Sequence, residues 1–166
     1  KERRRQCEDA LRALAPHATR ALPSLRDLEV GDLDGIALRL PQPLQNRVRH
    51  VVTENDRVRR CAQALRDDNL DYAGMLMADS HRSLRDLYEF SCPELDLLVD
   101  LAWNCPGTVG ARMTGAGFGG CTVNLVRTDA IDQFRAQVVA AYNERTGKQA
   151  DLFVCRAADG AKLYSL

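Results

Sequence analysis

Apolar residues recur at helical spacing through the first hundred positions of the chain. Residues three and four apart share one face of a helix, so such a stripe predicts a helix packed on a core. Helices are predicted over 1–14, 43–67, 70–86 and 91–103, with shorter helical pieces between 24 and 39. The stripe of the longest predicted helix consists of Leu44, Val48, Val51, Val52, Val58, Ala62 and Leu65.

The residues at the predicted helix ends are typical of helix caps. Ser91, followed by Pro93 and then Glu94, fits a capping box in which Ser91 is the N-cap. Asp129 and Gly147 predict the start and the end of a further amphipathic helix over 129–144. The inward face of that helix is expected to carry Ile131, Phe134, Val138 and Tyr142.

After Pro106 the helical period stops, and Thr and Val become frequent between turn residues. This pattern predicts strands over 108–114 and 121–126, before the helix over 129–144. Two more strands are predicted after that helix, over 151–157 and 161–166. The order of helices followed by β-β-α-β-β predicts a single α+β domain over 1–166, with N-terminal helices packed on a small, mostly antiparallel sheet.

Composition narrows the class of protein. The 166 residues are 45% hydrophobic, and 23 Lys and Arg balance 23 Asp and Glu, so the chain lacks the basic footprint of a nucleic-acid binder. The six cysteines have no zinc-ligand spacing, which favours a reduced, cytoplasmic protein without a structural metal. No signal peptide and no apolar run near 18 residues occurs in the sequence, so no membrane association is expected.

The run GAGFGG contains Gly115, Gly117, Gly119 and Gly120 and formally matches the phosphate-binding pattern G-x-G-x-x-G. A dinucleotide fingerprint needs a helix after the glycines, and a Walker loop needs Lys followed by Ser or Thr. A predicted strand follows here instead, starting at Cys121. Two interpretations remain: a tight structural hairpin, or a turn whose backbone N–H groups approach an anion.

Polar residues are dense in SHRSLRDLYEFSCPELD, residues 80–96. His81 could act as a base with Asp86 or Glu89 as its carboxylate partner. Helical spacing also predicts contacts of His81 with Arg85 and of Arg82 with Asp86, as in a salt-bridged helix end. Arg112, His17 and His50 are predicted to be structural or surface residues. No catalytic residue and no metal ligand is predicted in the chain.

Two of these segments carry a family resemblance. Residues 80–96 resemble the galactokinase segment S-H-x-S-L-R-D-D-Y-E-V-S-C-P-E-L-D, and RMTGAGFGGC resembles the third conserved motif of the GHMP small-molecule kinases. The stretches KERRRQCEDAL, RHVVTENDRV and AADGAKLYSL fit galactokinases as well, so the resemblance spans the whole chain. Leu87, Phe90 and Ala116 depart from the usual Asp, Val and Gly.

The resemblance implies a parent enzyme that transfers phosphate from ATP, with Mg²⁺, to D-galactose. The family's catalytic Asp and serine-rich ATP loop have no match in the chain, so they are expected before Lys1 in a missing N-terminal domain. The chain is then the ferredoxin-like C-terminal domain of such an enzyme and inactive alone. By the same resemblance, Gly115, Gly117, Gly119 and Gly120 form a loop near the transferred phosphate. Whether the chain alone binds ATP or Mg²⁺ stays open.

Other functions also fit the sequence. The parent protein could be a non-catalytic galactokinase-like sensor, or a sibling kinase for N-acetylgalactosamine, because the sugar contacts are expected upstream. A free-standing ligand-sensing domain is a further alternative. A domain from a two-part enzyme is expected to expose an apolar face, here beside the glycine turn and the helix over 43–67, and to self-associate through it.

Overall fold

The computed structural model describes residues 1–18, 20–36, 39–115, 117 and 119–160. The described part contains helices, short 3-10 turns and one antiparallel pair of strands. The elements in chain order are α1 Glu2–Leu14, α2 Leu33–Ile36, α3 Leu44–Arg66, α4 Leu70–Asp86, α5 Pro93–Trp103, β1 Thr108–Thr114, β2 Cys121–Val126, α6 Ile131–Phe134, a π-helical segment Arg135–Val139 and α7 Ala140–Thr146. The 3-10 turns are Ala15–His17, Leu25–Asp27, Val30–Asp32 and Thr128–Ala130.

The two strands form a hairpin around the glycine run. Thr114 lies opposite Cys121 and Thr108 opposite Val126, with a register shift between Thr108 and Gly110. Helices α4 and α5 pack on this hairpin. The predicted strands over 108–114 and 121–126 and the α+β class are therefore confirmed, and the helices do pack on a small antiparallel sheet.

The predicted strand over 151–157 is wrong. Residues 151–160 have no regular secondary structure, and the Phe153 side chain is 84% exposed. Apolar alternation predicts a strand only if a neighbouring strand accepts its hydrogen bonds, and this segment pairs with no strand in the described part of the chain. The predicted strand over 161–166 lies outside the described residues.

Two of the predicted helix starts also differ. Helix α5 begins at Pro93 after Cys92 as N-cap, and no side chain caps it. Ser91 instead donates a hydrogen bond to Asp96, 2.6 Å between oxygens. Asp129 lies in a 3-10 turn and pairs with Arg127, because a carboxylate next to a guanidinium gains a charge-assisted bond.

The end of the last helix is as predicted. Gly147 terminates α7 in the left-handed conformation, with φ of +67°. Of the inward residues, Phe134, Val138 and Tyr142 are buried and Ile131 is partly buried. The wider π-helical turn over 135–139 suits the four-residue spacing of the three buried side chains.

The apolar side chains form two separate cores. The first joins α1 and the 3-10 turns to the N-terminal half of α3, where Val48 and Val52 are buried. The second joins α5 and β1 to the last helix, around Val99 and Phe134. The prediction that Val58 and Leu65 face a core is wrong, because they are 57% and 52% exposed. These two residues do place exposed apolar surface on α3.

No helix of the described residues is both long enough and apolar enough to span a membrane. All six cysteines are free thiols.

Candidate functional site

The site is the end of the β1–β2 hairpin, where Gly115, Gly117, Gly119 and Gly120 form the glycine turn. Helix α4 reaches the backbone of β1 directly, because Gly74 has no side chain. A Cβ at Gly74 would lie 1.8 Å from the carbonyl oxygen of Val109. Gly110 lies opposite, and its own Cβ would lie 2.9 Å from the Cα of Gly74. This glycine–glycine contact brings α4 close enough for its side chains to reach the end of β1.

Two side chains bind the backbone of β1 on the edge away from β2. Alternate residues of an antiparallel strand direct their N–H and C=O groups to the same side. The Trp103 indole Nε1 donates to the carbonyl oxygen of Ala111 at 3.2 Å. The N–H of Met113 donates to His81 Nδ1 at 3.3 Å. Helices therefore satisfy backbone groups that an open strand edge would leave unpaired.

His81 lies at the centre of a buried polar cluster. Its side chain is 4% exposed, and its Nε2 lies 3.2 Å from Asp96 Oδ1. Ser91 also donates to the same oxygen of Asp96. Since Nδ1 accepts from Met113, the proton of the neutral ring is on Nε2, which lies near Asp96 but completes no hydrogen bond with it. Burial lowers the pKa of His81, and the opposing effect of Asp96 is smaller.

The glycine turn is open on one side and packed on the other. Gly115, Gly117 and Gly119 all have positive φ, at +79°, +69° and +97°. Gly117 is buried, and a Cβ there would lie 2.2 Å from the carbonyl oxygen of Phe90. Gly115 and Gly119 are exposed, with nothing within 4 Å of an added Cβ. The turn thus rests on the segment after α4 and presents bare backbone to solvent.

A polar stripe on α3 lies beside the same hairpin; it consists of Arg47, His50, Glu54 and Arg57. Glu54 is its central residue and forms ion pairs with Arg57 and with Arg112 of β1, the latter at 3.6 Å. Ser80 of α4 donates to Glu54 as well. Arg112 is therefore a salt-bridged residue, as predicted, and it connects β1 to α3.

His50 and Arg47 extend the polar stripe toward the loop after α4. His50 Nδ1 lies 2.9 Å from Ser83 Oγ, and the ring stacks on Tyr88 with centroids 4.5 Å apart. Burial lowers the pKa of His50 to about 4 and raises that of Tyr88 to about 12. The Arg47 side chain is fully buried and donates to Glu89 Oε2 at 2.7 Å and to the Leu87 carbonyl.

The acid partners predicted for His81 are wrong. Asp86 forms a hydrogen-bonded pair with Arg85, which lowers the pKa of Asp86, and Glu89 binds Arg47 and Arg3. Arg82 pairs with Asp79 rather than with Asp86. The helix end is still salt-bridged, through pairs other than the predicted ones. His50 is structural, as predicted.

Sequence reasoning missed Glu54 and Asp96, the carboxylates beneath the glycine turn. The spacing of the polar stripe, at three, four and three residues, places its four side chains on one face of α3. That signal was available in the sequence, because charged residues on a packed face need partners. No comparable local signal exists for Asp96, which approaches His81 only through the packing of α5 on α4.

The site exposes glycine backbone at the turn. Within the described ranges, no three His, Cys, Asp or Glu side chains come together as metal ligands. Gly115 and Gly119 combine positive φ with exposure to solvent. Backbone without a side chain can be approached closely by a ligand or by another segment.

The described fold is a two-stranded antiparallel hairpin with a glycine turn, on which helices α4 and α5 pack. The family model described as "GHMP kinases C terminal" matches residues 61–144. The chain therefore belongs to the GHMP kinase family.

Two similar proteins are galactokinases. The chain is 44% identical over 159 residues to a protein of Roseiflexus sp. (strain RS-1) named galactokinase, and 42% identical over 161 residues to the galactokinase of Bacillus subtilis (strain 168). Each match covers 96% of this chain. It covers 40% of the first relative and 41% of the second, so the chain spans about two fifths of their length.

A solved structure is similar as well. The crystal structure of Lactococcus lactis galactokinase complexed with galactose matches with a TM-score of 0.83 and 38% identity. The match covers 89% of this chain and 38% of the other. The fold described here is thus found within a larger kinase chain.

Proposed function

We propose that the chain is the C-terminal part of a galactokinase, an enzyme that transfers a phosphoryl group from ATP to D-galactose. The observation that carries the proposal is the identity of 42–44% to the two galactokinases over 96% of the chain. The hairpin geometry supports it, because the glycine turn exposes backbone at Gly115, Gly119 and Gly120. Residues 1–166 then form a single domain that works with an ATP- and sugar-binding N-terminal domain.

The proposed role of the turn is support of the phosphate end of the active site. Exposed backbone at Gly115, Gly119 and Gly120 allows a phosphate or a neighbouring loop to approach closely. Gly117 anchors the turn from below through its contact with Phe90. Phosphoryl transfer is catalysed largely by positioning and charge stabilisation, so a rigid donor turn contributes without reacting itself.

The chemical step is assigned to residues outside this chain. ATP and Mg²⁺ are proposed as the needs of the whole enzyme; Mg²⁺ stabilises charge on the phosphates when bound. The described residues bring together no ligand set for Mg²⁺. We accordingly propose that the chain alone is inactive. The cytoplasm is the proposed location, where ATP and a reducing environment for free cysteines are both available.

A chimera tests the proposal. The segment of Bacillus subtilis galactokinase that aligns with this chain is replaced by residues 1–166, and galactose-dependent release of ADP is measured. The sugars offered are galactose, N-acetylgalactosamine and none. A matched chimera carries Gly117→Val, which adds a branched side chain where even a Cβ would lie 2.2 Å from the Phe90 carbonyl oxygen.

The proposal predicts turnover with galactose in the first chimera and a loss of at least about tenfold in the second. A folded chimera that binds galactose and ATP without turnover would instead support the sensor alternative. If the chimera preferred N-acetylgalactosamine over galactose, residues of this chain would determine the sugar specificity. That result would contradict galactose as the proposed substrate.

A further inference from the structure

The glycine turn is attached to the helices at two places. The first is Met113, two residues before Gly115, whose N–H donates to His81 Nδ1 at 3.3 Å. The second is Gly117, which packs on the carbonyl of Phe90. One attachment therefore precedes the turn and the other lies within it.

One polar cluster links these two places. Phe90 precedes Ser91, which donates to Asp96 Oδ1 at 2.6 Å. The same oxygen of Asp96 lies 3.2 Å from His81 Nε2. Successive contacts therefore lead from Met113 to His81, then to Asp96 and to Ser91, which follows Phe90. A shift of the imidazole would thus affect both attachments.

We propose that His81 is a positioning residue that fixes the glycine turn through its bond to the Met113 N–H, with the nearby charge of Asp96 favouring the tautomer that carries its proton on Nε2 and leaves Nδ1 free to accept. The consequence for phosphoryl transfer rests on the proposed function, whereas the positioning itself is a property of this chain. His81 acts through backbone and touches no substrate.

Because the His81 side chain is buried, only the imidazole can accept the hydrogen bond from the Met113 N–H. The His81 side chain is 4% exposed, so water does not replace the imidazole as the partner of Met113. The charged groups that act on the ring are Asp96 and Asp100 of α5, Arg85 of its own helix and Arg112 of β1. The ring is neutral at pH 7 because burial disfavours its protonated form.

Three substitutions of His81 test its contact with the Met113 N–H separately from its contact with Asp96. His81→Asn places an amide oxygen near the position of Nδ1 and keeps an acceptor for Met113. His81→Gln reaches toward Asp96 and leaves Met113 without that acceptor. His81→Leu removes both contacts. His17→Leu, at an exposed histidine of the first 3-10 turn, is the matched control.

The first measurement uses the 166-residue chain and no enzyme activity. Amide hydrogen exchange and chemical shifts are followed by NMR at Met113, Gly115 and Gly117. We expect exchange at Met113 to rise about tenfold in the Leu and Gln variants, as for the loss of one buried hydrogen bond, and to stay within about twofold of the parent in the Asn variant. The Gly115 and Gly117 signals are expected to move with it.

Two results would contradict the proposed role of His81. Protection that follows Gln rather than Asn would make the Asp96 contact the attachment and overturn the assignment. Unchanged Gly115 and Gly117 signals in a folded Leu variant would show that the turn does not depend on His81. If the Leu variant does not fold, the comparison of Asn with Gln decides by itself.

The second measurement places the same variants in the active chimera. Displacement of the turn is expected to raise the KM for ATP or lower kcat at least about fivefold in the Gln variant, with KM for galactose unchanged and with recovery in the Asn variant. Equal kinetics in all variants would overturn the link to catalysis while leaving the NMR result standing. An inactive parent chimera would count against the proposed function, not against the positioning of the turn.

Discussion

Gly117 and the carbonyl of Phe90 are in direct contact, and no side chain fits between them. A Cβ on residue 117 would lie 2.2 Å from the Phe90 oxygen, well inside van der Waals contact. Gly117 is also the buried member of a turn whose other described glycines are exposed. This contact attaches the glycine turn to the segment between α4 and α5, and the first prediction follows from it.

Gly117→Ala is expected to destabilise the fold more than Gly115→Ala. Both positions have positive φ, so each substitution costs about 1 kcal/mol in backbone strain. Only position 117 adds a steric clash, which costs about 1–3 kcal/mol more. Urea unfolding of the two variants measures the difference. Equal losses would mean that the Phe90 carbonyl moves aside freely.

Gly74→Ala is expected to destabilise the fold, although alanine in place of glycine usually stabilises a helix. Alanine is favoured over glycine inside a helix by about 1 kcal/mol. At Gly74 the new methyl would lie 1.8 Å from the Val109 oxygen, so α4 and β1 must separate and we expect a net loss of about 2 kcal/mol.

Gly35→Ala in α2 is the control for Gly74→Ala. It meets nothing within 4 Å and is expected to be neutral or stabilising. Thermal unfolding of both variants tests this prediction, and a stabilised Gly74→Ala variant would contradict the close packing of α4 on β1.

Arg47→Met is expected to cost about 1–3 kcal/mol, because it leaves the Leu87 carbonyl and Gln6 Oε1 without their buried donor, whereas the half-exposed Glu89 keeps its pair with Arg3. The control is Arg4→Met, which breaks an exposed pair with Glu8 and should cost less than about 1 kcal/mol. Chemical denaturation of both variants gives the comparison. Similar small losses would show that methionine packing compensates for the ion pair.

Stability is expected to fall as the pH drops from about 6.5 to about 4. Burial lowers the pKa of His50 to about 4 in the folded chain, against 6.5 for an unperturbed histidine. In that window the unfolded chain binds a proton that the folded chain does not, so acid favours unfolding. The loss attributed to His50 is about 2 kcal/mol between pH 7 and pH 5.

The matched variant for the pH prediction is His50→Asn, which keeps a polar partner for Ser83 without titrating. It should lose less stability than the parent over the same range, measured by urea unfolding at each pH. Parallel pH profiles would place the titration of His50 near its unperturbed value and contradict the burial argument.

The sequence pattern correctly predicted those features that depend on residues close together in the chain. Apolar periodicity located the helices, and the strand that follows GAGFGG correctly excluded a nucleotide fingerprint in favour of a hairpin. The cap at Gly147 was predictable for the same reason, since a left-handed residue is a property of the backbone itself. Val58 and Leu65 follow the same stripe as Val48, but the buried residue in that half of α3 is Ala64, and Val58 and Leu65 lie off the covered face.

The candidate site depends on contacts between distant segments, and these were not predictable. His81 and Asp96 are brought together by the packing of α5 against α4, whereas helical spacing predicted Arg85 as the neighbour of His81. The predicted strand over 151–157 failed because strand formation requires a neighbouring strand. The polar stripe of α3 is the exception, since its spacing in the sequence already indicated a second buried face.

We propose that the chain supports phosphoryl transfer by a larger enzyme and does not carry it out by itself. The most direct measurement is the release of ADP by the purified 166-residue chain in the presence of ATP, Mg²⁺ and galactose, beside the chimera under the same conditions. We predict no galactose-dependent release from the chain and clear turnover by the chimera. Galactose-dependent turnover by the isolated chain would contradict the account, because it would require a complete active site within these residues.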